Sequence, residues 1–435
     1  MPDQPAASVQ RLEVAIEKMV YGGEGLARTA DGVLLIPGLL PGERAWVEAG
    51  PPRRGVRRGQ LLDLIQPSPD RVAPECPYFG RCGGCQHQHI SYARQLQLKQ
   101  EILRECLERI GKLRVEVPIA AVASEPWHYR NRISLRVEKT AASFQVGYLQ
   151  AASHELCPVD DCPIASPALQ DVIGQLSRGT LAPCFPDGVV ELELFASEED
   201  RSLWATVYSS QSAPADFGDA WRGALQQFAS VCWAQTSQRR DAASGMDTVV
   251  GSGAVTYRVG EYQYRVSHHS FFQTNRFLLR PMIEATLAEI SGARALDLYA
   301  GVGLFTVPLA QRFERVVAVE SHPAAAADLA VNVNVAGAHV RSYHKTVESF
   351  LESTSHNWDL ILVDPPRTGL SKPVREHLIR LRTPRLAYVS CDPTTLARDL
   401  AALAASGYRL ASIHLLDLFP QTFHMETIAH LSRIE

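Results

Sequence analysis

No stretch of this chain runs to eighteen consecutive apolar residues, so no membrane-spanning helix and no membrane partner are expected. The opening segment MPDQPAASVQ lacks a basic run followed by an apolar one, so no secretory leader is expected and the cytoplasm is the default compartment. A large charge surplus is missing as well. The net charge is −4, which excludes a chain that grips polyanions over its whole surface and confines nucleic-acid contact to local patches. Nine cysteines in a cytoplasmic chain do not read as a disulfide framework; they are ligands, nucleophiles or buried packing. Apolar content of 46% and charged content of 21% are ordinary for a soluble globular protein. The 435 residues exceed one ordinary core, so two or three domains are expected.

What is present begins with short apolar runs, such as Val33–Leu35–Ile36 and Trp46–Val47, separated by Gly22-Gly23, Asp31-Gly32, Pro37-Gly38 and Pro41-Gly42. Short strands with regular turns predict a small β-barrel within residues 1–70. Arg53, Arg54, Arg57 and Arg58 crowd one of its loops. They read as an RNA grip, against the alternative of a solvated loop. Next comes CPYFGRCGGC, with Cys76, Cys82 and Cys85 in a glycine-rich loop that lets thiolates converge. A fourth ligand has to come from Cys157 or Cys162 in CPVDDCPI, and spacing alone leaves zinc and an iron–sulfur cluster both open.

Residues 91–112 predict one amphipathic helix with Leu96, Leu103, Leu107 and Ile110 as its apolar stripe and Cys106 as packing. A mixed α+β central domain is expected over 71–265, and a catalytic domain over 266–435. Tyr129, Arg130 and Arg132 combine a ring with two cations, suited to stacking and phosphate contact; a plain polar strand start is the alternative. Gln273 and Asn275 stand at a loop-to-helix entry, as caps or as readers of a ligand edge.

The segment RALDLYAGVGLFT predicts a strand ending at Tyr299, then a tight turn through Gly301 and Gly303 into a helix. A second strand ends in Glu320, where an acid accepts hydrogen bonds from ribose hydroxyls. Thr306 occupies the place of the third glycine of the dinucleotide fingerprint, which argues for S-adenosylmethionine over NAD. Further strands end at Asp364-Pro365-Pro366-Arg367 and at Ser390-Cys391-Asp392-Pro393. Two last strands close the sheet, and Glu426 opens the final one on the rim that carries Cys391. The fold class expected is α/β, a doubly wound sheet of the class I methyltransferase kind. Cys391 is then placed as a nucleophile, with a buried structural thiol as the alternative.

Taken together, CPYFGRCGGC, SFFQTN, DLYAGVGLFT, DPPR, SCDPTTLARD and DLFPQTFHMET resemble the bacterial RNA uridine C5-methyltransferases over nearly the whole chain. The N-terminal barrel is similar to the TRAM RNA-binding domain. The resemblance implies a [4Fe–4S] cluster on Cys76, Cys82, Cys85 and Cys162, the last preferred to Cys157 for its CPI context. It implies Cys391 as nucleophile and Glu426 as base. It sets Gln273, Tyr299, Glu320 and Asp364 around S-adenosylmethionine and the target uracil. Leu304 departs from the pattern, since relatives often carry asparagine there. The chemistry needs these residue types: thiolate addition at C6 makes C5 nucleophilic, and a base must then remove the C5 proton. Exocyclic-amine methyltransferases, radical S-adenosylmethionine enzymes, cytosine C5 methylation and a non-catalytic RNA module fit the motifs less well. A monomer acting on RNA is expected, with large-subunit ribosomal RNA favoured over transfer RNA.

Overall fold

Alternating apolar positions and glycine turns curl the first six strands around a small core. The computed structural model describes residues 10–140, 143–224, 226–236, 247–287, 290–354 and 357–434. Strands β1 (Gln10–Ala15), β2 (Lys18–Val20), β3 (Glu24–Thr29), β4 (Gly32–Pro37), β5 (Arg44–Ala49) and β6 (Val56–Gln66) pair in the order β1-β5-β6-β4-β3-β2. Val14, Ile16, Leu34, Ile36 and Val47 fill the interior. The arginine loop is a two-residue hairpin turn: Arg53 and Val56 exchange backbone hydrogen bonds of 2.8 and 3.1 Å, and Arg54 and Gly55 both take positive φ.

Part of the stretch 71–265 pairs with the catalytic sheet instead of the central one. Helix α1 (Tyr92–Arg109) and strand β7 (Ile119–Val122) join the catalytic part, with β7 parallel to a late strand at the edge of its sheet. The apolar stripe of α1 is also rotated from expectation. Leu98, Ile102, Leu103, Cys106 and Leu107 face the core, whereas Ile110 is exposed. The reason is polar: Gln95 and Lys99 lie on the buried face and bind the loop near residue 420, which turns the helix toward them. Gly111 closes the helix because any β-carbon there would lie 2.8 Å from the Ala397 carbonyl oxygen.

The central sheet has strands β8 (Arg132–Lys139), β9 (Phe144–Leu149), β10 (Leu156–Pro158), β11 (Val189–Ala196), β12 (Leu203–Ser209), β13 (Phe228–Gln235) and β14 (Thr248–Gly251). Their order is β10-β9-β8-β11-β12-β13-β14, with helices α2 (Pro167–Ser177) and α3 (Phe217–Ala224) packed on them. A hairpin of β15 (Ala254–Val259) and β16 (Tyr262–Ser267) leaves this sheet, and its Tyr257 and Tyr264 pack into the catalytic core.

The catalytic part continues with α4 (Leu279–Leu287), β17 (Gly292–Leu298), α5 (Thr306–Leu309), β18 (Phe313–Glu320), α6 (Pro323–Ala336), β19 (Val340–His344) and α7 (Val347–Ser353). It ends with β20 (Leu360–Val363), α8 (Lys372–Leu381), β21 (Arg385–Ser390), α9 (Pro393–Ala404), β22 (Tyr408–Leu416) and β23 (Glu426–Arg433). The sheet order is β19-β18-β17-β20-β21-β23-β22-β7. Strands β19 through β21 of that order run parallel, and β23 is antiparallel to both of its neighbours. The four residues of β20 are all apolar and all buried, as a parallel strand covered on both faces requires. No helix of the described residues is long and apolar enough to cross a membrane.

Candidate active site

The carboxyl ends of the parallel strands form the rim where a doubly wound sheet binds ligands. After β17, Tyr299 takes a left-handed φ of 61°, costly for a residue with a β-carbon, and Gly301 and Gly303 follow at φ 57° and 97°. A β-carbon on Gly301 would meet nothing within 4 Å, so the turn faces open space at that position, whereas one on Gly303 would lie 2.9 Å from Leu329. Glu320 closes the turn from β18. Its carboxylate accepts the Gly301 N–H at 2.8 Å and the Ser321 and His322 N–H groups at 2.8 and 2.6 Å. Beneath it, buried Asp297 accepts the Thr306 hydroxyl at 2.5 Å, and burial lifts its carboxyl to about 7. Leu304 is core, and its carbonyl accepts the Tyr264 hydroxyl at 2.9 Å. Gln273 is buried in the loop before α4. Asn275 is a cap: its side-chain oxygen accepts the Phe277 and Leu278 N–H groups at 2.9 and 3.2 Å.

Cys391 and Glu426 meet across the next two strands. The ladder between β21 and β23 pairs Ser390 with Thr427, so one further step sets Cys391 opposite Glu426. Cross-strand neighbours of this kind hold their β-carbons about 4.5–5.5 Å apart. Asp392 then caps α9, accepting the Thr394 and Thr395 N–H groups at 2.9 Å each. Cys391 thus stands between a strand end and a helix start, where the helix dipole favours an anion. Burial and the Glu426 carboxylate outweigh that effect and push its thiol up to about 12, while the Arg367 guanidinium draws it down. Glu426 is itself raised well above the usual carboxylate range by burial and by Asp364. Asp364 rises to about 7 through burial and Glu320. Glu320, Asp364, Glu426 and Cys391 therefore share one electrostatic row along the rim.

Two residues not assigned a site role from the sequence complete this row. Arg367 brings the cation, three positions after Asp364; its place on a strand-end loop was the available signal. Tyr21 arrives from the barrel, between β2 and β3, with its hydroxyl against Asp392 and its ring 5.6 Å from that of Phe423. Nothing local marks it.

The four cysteines named by resemblance line a single cavity of about 180 Å³, together with Tyr78, Tyr148, Arg130 and Asp161. Cys157 is not among its walls; it is buried in β10, and its sulfur accepts the Arg81 Nε–H at 3.2 Å. Gly147 lets β10 approach, since a β-carbon there would lie 2.0 Å from the Cys157 carbonyl oxygen. Burial pushes the Cys82 and Cys85 thiols up to about 11 and about 12. Among the described residues, the donor groups that converge within 4.8 Å do not include three of these sulfurs. The cysteine loop then reaches the rim: Gln86 and His87 N–H groups both donate to the Gln421 carbonyl at 2.9 Å, five residues before Glu426.

The expected RNA contacts are corrected in part. Arg57 is buried, donating to the Gly50 and Ala49 carbonyls at 2.8 and 3.3 Å and to Asp31 at 3.1 Å. It holds the barrel together, whereas Arg53, Arg54 and Arg58 are exposed. Tyr129 is wholly buried and donates to the Pro420 carbonyl at 3.0 Å, so its ring cannot stack on a base. Arg132 is paired with buried Glu193 at 2.7 Å and lies over Trp204 at 5.2 Å. Arg130 faces the cysteine cavity.

The strand order, the glycine turn and the acid after β18 define a class I methyltransferase. The chain belongs to the tRNA (uracil-5-)-methyltransferase family, whose model matches residues 91–434. It is 34% identical to the 23S rRNA (uracil(1939)-C(5))-methyltransferase RlmD of Edwardsiella ictaluri, over 98% of this chain and 97% of that one. It is 31% identical to an uncharacterised RNA methyltransferase of Thermosynechococcus vestitus, over 97% and 98%. The crystal structure of Pyrococcus abyssi tRNA (uracil-54, C5)-methyltransferase with S-adenosyl-L-homocysteine shares the fold at a TM-score of 0.78. It is 24% identical and covers 97% of this chain and 100% of its own.

Proposed function

We propose that this RNA uracil-C5 methyltransferase modifies large-subunit ribosomal RNA through a covalent adduct between Cys391 and uracil C6. The observation that carries the reading is the Ser390–Thr427 pairing, which brings the next residues, Cys391 and Glu426, together on the rim, with Cys391 in the electrostatic field of Glu426 and Glu426 in that of Asp364. S-adenosylmethionine, bound by Gln273, Tyr299, Gly301, Gly303, Glu320 and Asp364, supplies an electrophilic methyl group. The glycine turn open to space at Gly301 and the acid held by three N–H groups fit such a ligand.

The thiol keeps its proton at rest, so a neighbour must accept that proton before sulfur attacks. Asp364, lifted to about 7, is a competent base near neutrality, and Glu426, raised well above the ordinary carboxylate range by burial and by Asp364, acts as base once it has given up its own proton. Sulfur adds to C6, electron density moves to C5, and C5 takes the methyl group as its bond to the sulfonium breaks and S-adenosylhomocysteine leaves. Glu426 then removes the C5 proton, and the C–S bond breaks. The target base leaves its stack to reach the buried pair.

Cys76, Cys82, Cys85 and Cys162 are proposed to hold a [4Fe–4S] cluster. Tetrahedral zinc, at about 2.3 Å from each sulfur, would bring the thiolates to about 3.8 Å of one another. The wider spread of these sulfurs around a cavity suits a cluster instead. When bound, the cluster supplies fixed anchor points for the loop that binds Gln421, since methyl transfer moves no electrons. Anaerobically purified protein is expected to contain iron and sulfide in about equal amounts. Cys162→Ala should lose both and Cys157→Ala neither; one zinc without iron defeats the assignment.

Ribosomal RNA is favoured over transfer RNA because relatives named for 23S rRNA match end to end at about one third identity. Architecture alone does not choose, since a tRNA enzyme shares it. Glu426→Gln keeps the shape but removes the base. With RNA and labelled S-adenosylmethionine it should accumulate a methyl-bearing protein–RNA species that survives denaturing gels, and Cys391→Ala should form none. Normal turnover by Glu426→Gln would remove it from the mechanism. Running both variants on ribosomal and transfer RNA separately identifies the substrate.

A further inference from the structure

The central sheet carries a second group of donors that methyl transfer leaves unused. Cys232 lies on β13, Asp247 leads into β14, and His269 follows β16 in the turn that feeds Gln273 and Asn275. Cys232 pairs with Val249, so Asp247, two residues earlier, projects on the same face. One ligand atom from each residue lies within 4.8 Å of the other two. His269 Nε2 is 2.9 Å from Asp247 Oδ2 and 3.9 Å from Cys232 Sγ.

The same nitrogen thus meets the carboxylate and the sulfur. A nucleophilic relay divides these roles, with one ring nitrogen toward the thiol and the other toward the acid. Here Nδ1 turns to the Tyr208 hydroxyl at 3.4 Å instead. Three ligand atoms within 4.8 Å of one another suit an ion site. Tetrahedral zinc, with bonds of about 2.3 Å to sulfur and about 2.0–2.1 Å to nitrogen and oxygen, separates S from N by about 3.6 Å and N from O by about 3.4 Å. The observed 3.9 and 2.9 Å straddle these values, so small side-chain shifts seat the ion. His269 also holds a left-handed φ of 65°, strain that marks a backbone set for its side chain. The thiol is buried, while the His269 and Asp247 side chains are 24% and 27% exposed, which leaves a path for entry.

We propose that Cys232, Asp247 and His269 bind one divalent ion of the zinc class, separate from the four-cysteine cavity. The ion would staple β13 and β14 to the turn that carries Gln273 and Asn275.

Cobalt(II) is the probe, added to the full-length, iron-loaded protein after dialysis. One ion per chain is expected, with the sulfur-to-cobalt charge-transfer absorption of a single thiolate, and zinc should displace it. Cys232→Ser should abolish that absorption while leaving iron content unchanged. His269→Ala, at a partly exposed position, should weaken binding at least tenfold and guards against a Cys232→Ser chain that fails to fold. The proposal is overturned if the parent chain shows no thiolate absorption. It is equally overturned if the absorption persists in both variants, which would trace it to another sulfur.

Discussion

Cys391 sits between opposing fields. Burial and Glu426 favour the thiol, and Arg367 favours the thiolate. With the thiol pushed up to about 12, its thiolate fraction grows about tenfold per pH unit through the neutral and mildly alkaline range. Single-turnover methylation with saturating RNA should therefore climb with pH. Arg367→Gln removes the cation that draws both Cys391 and Glu426 down. The rate at neutral pH should fall on the order of tenfold, equivalent to about one pKa unit, and the profile should move to higher pH. Arg367→Lys, which keeps the charge, should recover most of the rate. An unchanged profile in Arg367→Gln would mean that the guanidinium does not tune the thiol.

Helix α1 and the loop between β22 and β23 form one device for holding Glu426. Gln95 donates to Gln421 Oε1 at 2.9 Å and accepts the Gln421 N–H at 3.0 Å. Gln421 itself holds a left-handed φ of 66°, and the cysteine loop binds its carbonyl from the other side. Lys99 is fully buried, donating to Asp417 at 2.6 Å and to the Phe419 carbonyl at 3.0 Å. Burial lowers the Lys99 amine despite the pull of Asp417. Lys99→Met leaves a buried carboxylate without its cation and should cost about 3–5 kcal/mol in denaturant unfolding. Replacing both members with apolar residues of similar volume should recover most of that loss. A loss below about 1 kcal/mol in the single variant would show that the pair is not desolvated as described.

The barrel is joined to the rest of the molecule at the active site itself. Met19 and Leu40 pack into the core beneath the catalytic sheet, and Gly23 lies where a β-carbon would be 3.0 Å from His87 and 3.2 Å from Phe423. If the barrel grips RNA through its arginine hairpin, as the sequence predicts, the strand is delivered to the rim beside Tyr21. Three exposed arginines remain for that grip. Changing Arg53, Arg54 and Arg58 together to glutamine should reduce the salt slope of RNA binding by up to about two, at roughly 0.7 per single-strand phosphate contact. Arg57→Gln should instead lower the melting temperature of the chain, because its side chain satisfies buried carbonyls. An unchanged slope in the triple variant would return the hairpin turn to a solvated loop.

Local chemistry made much of this protein readable in advance. The glycine turn after β17, the acid ending β18, the thiol ending β21 and the cysteine spacing each lie within a few residues, where backbone sterics and strand periodicity decide. The final antiparallel pair followed from the same pattern. Folding at longer range decided the rest. Arg57, Tyr129 and Arg132 carry the composition of nucleic-acid contacts, yet burial and partners distant in sequence, such as Asp31, Pro420 and Glu193, turned them into structural groups. Of the expected α1 stripe, Leu103 and Leu107 are buried but Ile110 is exposed, because a buried lysine is unreadable until its aspartate, 318 residues away, is known. Tyr21 and β7 reached the catalytic part through pairing that no local run encodes. Polar side chains carry no mark of burial in sequence, because whether desolvation is offset depends on partners that only the tertiary structure brings within hydrogen-bond distance.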